Sequence, residues 1–369
     1  MLGCVALCAG CLGAGSHECS NADHTQSWLC PANFACADAP TYCGAPGLIQ
    51  ECADKPDLAP CAYSSTEVGS CHGGLCTQCT PDLEGCPITG WTPMTSPTGV
   101  NLTSIWVVAR GEAFAGGEDG TMLHYDGLAW KQQAFPMLAQ GTAIVGIWGA
   151  SATDVYAVAG TQVFHWDGAA WTLATSSPEP LNAIGGAGGV VTAVGLNATA
   201  VQLSGGTWTV TTNVLGLPAS LDAVWAAGPD DIFAAGSAGL VLRYHNSAWS
   251  QSRAPSGPLV RALWGASGGD VYAVGDNGAT SATIYHYDGA GWPPEPYAAV
   301  VRLYGTWGAG PGDIYACGQS GSIAHRDATA WTAMTTPAAA NDMLAIGGSS
   351  ATDVIAVGRA GTIWRYAGN

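Results

Sequence analysis

Residues 144–171 read IVGIWGASATDVYAVAGTQVFHWDGAAW, and residues 259–292 read LVRALWGASGGDVYAVGDNGATSATIYHYDGAGW. The two stretches share a plan. An apolar run ends in Trp-Gly, a loop of small polar residues follows, and a second run opens with Asp-Val-Tyr-Ala-Val. A third, alternating run then ends at Asp-Gly and leads to a fourth that opens with Trp. Short runs rich in Val, Ile and Tyr between Gly and Asp are strands. Asp-Gly between two such runs marks a tight hairpin, whose turn needs a positive φ.

The plan recurs along the chain. Its anchors are the Trp of Trp-Gly or the residue in its place: Trp106, Trp148, Gly185, Trp225, Trp264, Trp307 and Gly347. Successive anchors are 42, 37, 40, 39, 43 and 40 residues apart. Four strands in such a period are the unit of a β-propeller blade, and seven anchors predict seven blades. A solenoid of stacked hairpins is the alternative, but its coils are usually shorter. The fourth-strand tryptophans are Trp130, Trp171, Trp208, Trp249, Trp292 and Trp331. They are expected to fill the widening gaps between outer strands. The seventh copy lacks its fourth strand, and Gly90-Trp91-Thr92-Pro93-Met94 before the first copy resembles one. The expected fold is therefore an all-β, seven-bladed propeller over 87–369. An N-terminal strand closes its last blade, which leaves no open sheet edge.

Composition agrees. The chain has 369 residues, 48% of them hydrophobic and only 10% charged, with 52 Gly and 15 Trp. Many short strands and tight turns suit such numbers, and a helical enzyme does not. The net charge is −17, with nine acids and one base before residue 87 and eighteen acids and nine bases after it. Neither part offers the basic footprint that nucleic acid requires.

Thirteen of the 14 cysteines precede residue 87. Residues 1–18 read as a signal or lipoprotein-like segment. Its apolar stretch is too short to span a membrane, and Cys8-Ala9-Gly10-Cys11 resembles a lipoprotein box that would place a lipid on Cys11. A cleaved secretory signal is the alternative. Residues 19–86 then hold ten cysteines: Cys19, Cys30, Cys36, Cys43, Cys52, Cys61, Cys71, Cys76, Cys79 and Cys86. That density predicts a disulfide-rich module in an oxidising compartment, with the pairing open. A zinc site at Cys76, Cys79 and His72 is the competing reading, but a structural zinc wants a second such knuckle. The expected location is extracellular or on the outer surface, with the membrane reached only through a lipid.

The repeats resemble those of secreted bacterial propellers related to the Asp-box and photosystem-assembly-factor families. The Asp, Gly and Trp of an Asp-box are present at Asp126, Gly127 and Trp130, although here Asp abuts Gly. The resemblance covers residues 90–369 and implies architecture, not activity. A Cys-rich module ahead of a propeller also resembles predicted surface proteins of predatory soil bacteria.

Residues that repeat build the ring. His124, His165, His286 and His325 share one position, with His245 shifted, and equivalent residues on different blades cannot share one metal. Asp154, Asp231, Asp270, Asp313 and Asp353 open second strands, where backbone amides are the expected partners. Asp126 and the other aspartates before the Gly of the turn should satisfy that turn. Cys317 reads as a buried small hydrophobe.

Residues outside the repeat are the functional candidates. On the face that carries the second-to-third-strand loops and the blade connections these are Glu118, Asp119, Asp276, Asn277, Tyr297 and Arg359. Charges there are sparse and mostly negative. Arg261 and Arg302 open first strands within reach of the channel mouth. No nucleophile elbow, P-loop or HExxH is present. The reading is a monomeric, non-catalytic binding or adhesion protein that recognises a protein or glycan through this face and carries no cofactor. The alternative is a sialidase-like glycosidase in the central cavity, which requires an arginine cluster and a carboxylate pair or a Tyr–Glu nucleophile.

Overall fold

The computed structural model describes residues 90–253, 257–278, 281–299, 301–337 and 341–367, with the backbone of seven short strands between residues 17 and 78. The chain divides into two compact units, Met1–Ile88 with Asn369, and Thr89–Gly368. In the first unit the strands form three small antiparallel sheets. Register sets Cys36 opposite Cys43 and Cys71 opposite Cys76. The side chains of this unit lie outside the described residues. So do the segment holding Cys11, the expected disulfides and the zinc alternative.

The second unit is a seven-bladed propeller of antiparallel sheets. Its first strands are Leu102–Ala109, Ile144–Ser151, Leu181–Ala187, Leu221–Gly228, Leu259–Ser267, Leu303–Gly310 and Met343–Ser350. Each packs beside the first strand of the next blade, and Met343–Ser350 packs back against Leu102–Ala109, so the ring of inner strands is complete. In the seventh sheet the order is Met343–Ser350, Asp353–Gly358, Ile363–Ala367 and then Gly90–Pro93. The last two pair antiparallel, with Trp91 opposite Tyr366 and Thr92 opposite Arg365.

One blade departs from the four-strand expectation. The fifth has three strands, Leu259–Ser267, Asp270–Asp276 and Ala282–Tyr287. Trp292 is followed by Pro293 and Pro294, which have no amide to give a ladder. The segment still lies beside the third strand: the His286 amide donates to Pro293 O and the Glu295 amide to Ile284 O.

The glycine that ends most second strands has a steric cause. A Cβ on Gly275 would stand 1.9 Å from Leu259 O, and one on Gly318 1.9 Å from Arg302 O. Only glycine lets the second strand pass the start of the first so closely. The turn that follows puts Asp119, Ala238, Ser320 and Ala360 at φ between 52 and 56°.

The repeated polar residues hold the blades together. His124 pairs with Glu112 at 2.7 Å, His165 with Asp154 at 2.8 Å, His286 with Asp270 at 2.7 Å and His325 with Asp313 at 2.7 Å. Arg243 and Arg365 take the histidine position in blades four and seven, bound to Asp231 and Asp353. The aspartates that open second strands therefore accept from third-strand side chains, not from the backbone amides expected of them. Each histidine also stacks on a second-strand aromatic ring, closest at 4.2 Å for His286 on Tyr272. The turn aspartates behave as anticipated: Asp288, for example, accepts from the amides of Ala290 and Gly291. Cys317 is fully buried, and burial pushes its thiol up to about 12.

Candidate functional site

The first strands present one side chain each to the axis near the loop face. In that position stand Thr103, Val145, Asn182, Asp222, Arg261, Tyr304 and Leu344. Strand alternation puts them there, because the residue before each is buried between blades: Leu102, Ile144, Leu181, Leu221, Val260, Leu303 and Met343. With Arg302 and Arg359 they line a cavity of about 500 Å³ at the channel mouth.

Three arginines thus share one cavity. Arg261 donates from Nε to Asp276 Oδ2 at 2.5 Å, and its guanidinium lies 5.4 Å from the Tyr304 ring centre. Burial pushes the Asp276 carboxyl up, but the hydrogen bonds from Arg261 and the Gly278 amide overcome it and hold the group below its ordinary value. Arg359 donates from Nε to Asp342 Oδ2 at 3.0 Å. Among the described residues Asp222 is the one carboxylate lining the cavity. It accepts from Asn182 Nδ2 at 3.0 Å and from Ser220 Oγ at 2.7 Å. Both bonds fall on Asp222 Oδ1.

The sequence candidates distribute unevenly over this geometry. Arg359 lines the cavity. Asp276 is 2% exposed and accepts from Arg261 behind the cavity lining. Tyr297 packs with the buried cluster around Tyr272 and Trp331, and burial raises its hydroxyl above the ordinary value. Glu118 is exposed and accepts from Asn101 Nδ2 at 2.8 Å. Asp119 and Asn277 are exposed loop residues away from the cavity lining. Arg261 and Arg302 reach the mouth as their place at the start of first strands anticipates, and with Arg359 they are met there by Asp222, Asp276 and Asp342. Asn182, Asp222 and Tyr304 were missed. Their signal is a column that changes from copy to copy between columns that do not. No group of three or more His, Cys, Asp or Glu among the described residues could hold a metal.

No family model and no curated protein matches the sequence. The fold has solved counterparts. A structure described as YCF48 bound to D1 peptide superposes with a TM-score of 0.61 at 14% identity, covering 77% of this chain and 99% of that one. YCF48 from Cyanidioschyzon merolae gives 0.60 at 12%, covering 76% and 99%. The WD40 propeller domain of Doa1 gives 0.64 at 14%, covering 76% and 98%. At such identities the likeness is one of fold.

Proposed function

We propose that the chain is a non-catalytic binding protein whose propeller receives an acidic group of a protein partner at its channel mouth. The observation that carries this reading is the convergence of Arg261, Arg302 and Arg359 on one cavity. Arginine stays charged at any physiological pH, and its planar fork matches a carboxylate. Asp276 and Asp342 engage Arg261 and Arg359 through Nε, which orients each guanidinium. The propeller described as YCF48 is bound to a peptide in its solved structure, which supports a protein as the partner.

The cysteine-rich unit serves in this reading as a spacer or second adhesive element outside the cell. In this reading the ten cysteines from Cys19 to Cys86 are paired as disulfides, and a lipid on Cys11 would hold the chain at the surface. The test uses the full chain and peptides that end either in a free carboxylate after acidic residues or in an amide. Binding of the acidic peptide, lost in Arg261→Gln/Arg302→Gln, supports the proposal. Equal binding of both peptides, or of wild type and variant, overturns it.

The three arginines also favour a second reading, a sialidase-like glycosidase. Such an enzyme needs a carboxylate pair or a Tyr–Glu nucleophile. The lining offers Tyr304 and Asp222, with Asp222 already bound by Asn182 and Ser220. Turnover of a fluorogenic sialoside, abolished by Tyr304→Phe, would establish this reading against the first.

A further inference from the structure

The seams between blades follow a rule that one seam breaks. The second-strand aromatic of one blade packs edge-on against the fourth-strand tryptophan of the next. Phe114 meets Trp171 at 6.2 Å, Tyr156 meets Trp208 at 6.1 Å, Phe233 meets Trp292 at 6.1 Å and Tyr272 meets Trp331 at 6.3 Å. Tyr315 shares a buried cluster with Trp91, and Ile355 shares one with Trp130. Blade three has Thr192 at this position. Gln202 replaces the stacked histidine and donates from Nε2 to Thr192 Oγ1 at 3.3 Å.

A threonine thus stands where the other seams hold a large apolar or aromatic side chain, and the glutamine bound to it faces the seam with blade four. Between the outer strands of blades three and four lies a cavity of about 250 Å³. One wall is aromatic, with Trp249 and Tyr244 at 5.3 Å between ring centres. The rest carries the amide of Gln202 and the hydroxyls of Thr209, Thr211 and Ser247. Thr209, Thr211 and Ser247 are exposed, so the cavity opens on the outer rim of the propeller.

We propose that this seam is a binding site for one neutral pyranose ring of a glycan. The chemistry selects that class. A sugar ring has an apolar C–H face for the indole and a girdle of hydroxyls for amide and hydroxyl partners. No charged side chain lines the cavity, so an ionic ligand would be desolvated without a counter-charge. A purely apolar ligand would strip water from the Gln202 carbonyl oxygen and the Thr211 and Ser247 hydroxyls without replacing it. The volume lies below the range of drug-sized pockets and suits a single ring. The site is independent of the arginine-lined mouth.

The test is titration of the full chain with cellotriose, maltotriose, mannotriose and chitotriose at millimolar concentration, read by tryptophan fluorescence and NMR. Thr192→Tyr/Gln202→His restores the residues of the other seams, and the tyrosine entering behind position 202 should plug the cavity. At least one sugar should bind, and the plugged chain should bind it at least about tenfold more weakly while melting no lower than wild type. Gln202→Ala removes the amide without adding volume. It reads the same loss should the plugged chain fail to fold. Binding of none of the four sugars, or undiminished binding by the plugged chain or by a folded Gln202→Ala chain, overturns the proposal.

Discussion

The indole of Trp307 lies against Gly348 of the next blade, where an added Cβ would stand 2.7 Å from the nearest ring carbon. The relation repeats as Trp106 on Gly149, Trp148 on Gly186, Trp225 on Gly265 and Trp264 on Gly308. Where the indole is missing, the partner grows. Gly185 is followed in the next blade by Ala226, and Gly347 by Val107, whose Cγ2 lies 3.7 Å from a Cβ placed on Gly347. At the seam between the seventh and first blades, Val107 with Ile105 thus stands where the other seams place an indole.

This pairing makes Gly348→Ala a test of the ring. The new methyl would meet both the indole of Trp307 and Asp353 O at 2.7 Å. Overpacking of this kind costs about 1–3 kcal/mol. Ala226→Gly, at a seam without an indole, should cost no more than about 1 kcal/mol. Denaturant melts of both variants check the contrast.

A second test concerns Arg365 and Asp353, which pair at 2.8 Å with side chains only 3% and 2% exposed. Ser349 Oγ also donates to Asp353, at 2.6 Å. Removing one member strands a buried charge, so Asp353→Asn should cost about 3–5 kcal/mol. Replacing both, as Asp353→Val/Arg365→Leu, should recover most of that loss. A double-mutant cycle by thermal denaturation would show the coupling; additive losses would refute it.

These sites also explain what the sequence makes legible. Trp-Gly, the Asp of the second strand and the Asp-Gly turn recur because every blade solves the same packing problem. The repeat therefore declares blade number and strand order. The mouth is declared only in part: Arg261 and Arg302 read as opening first strands near it, but the column it is built on holds Thr103, Asn182, Asp222 and Arg261 with no common chemistry. Only the buried residues beside that column fix which side chains face the axis. Asp276 and Tyr297 stand at loops and connections in the sequence, and no local pattern reveals that the first is buried and the second partly so. The open seam at Trp249 was hidden in the same way, because it consists of a missing ring.

Acid should weaken the hairpin turns in a defined window. Hydrogen bonds from Lys131 and then the Ala129 amide hold Asp126 far below its ordinary value of 3.8. Asp327 falls to about 2, chiefly through the Thr329 hydroxyl and the Ala330 amide. A carboxyl depressed in the folded state stabilises it above the ordinary value and loses that contribution as pH falls through the folded one. The melting temperature should therefore drop between about pH 4 and pH 2. Asp327→Asn should flatten part of that drop, and a variant as acid-sensitive as wild type would refute the assignment.

Thiol chemistry separates the two units. With disulfides across the ten cysteines from Cys19 to Cys86, alkylation without reduction should leave every peptide of that segment unlabelled. Cys317, buried and with its thiol raised to about 12, should react only after denaturation. Mass spectrometry of the digested chain reads both. Several labelled cysteines between Cys19 and Cys86, or a stoichiometric zinc, would overturn the disulfide proposal.

The strand Gly90–Pro93 offers the most demanding test. It pairs with Ile363–Ala367, some 270 residues away in sequence, and the Met94 amide extends the pairing to Ile363 O at 2.9 Å. Trp91 is 6% exposed, lies 5.5 Å from the Tyr366 ring and donates from Nε1 to Met334 Sδ at 3.3 Å. One side chain thereby joins the seventh blade to the sixth, although it precedes the first complete repeat. Truncating a buried tryptophan costs about 3–5 kcal/mol. Trp91→Ala should therefore lower the stability of all seven blades in one transition, while Thr92→Ala beside it should change little. A chain beginning at Val100 would expose the edge of Ile363–Ala367 and should associate through it. Size-exclusion chromatography and thermal melts of the three chains decide the matter. If the chain from Val100 stayed monomeric and melted like the full chain, the strand would be an ornament of the seventh blade and not its closure.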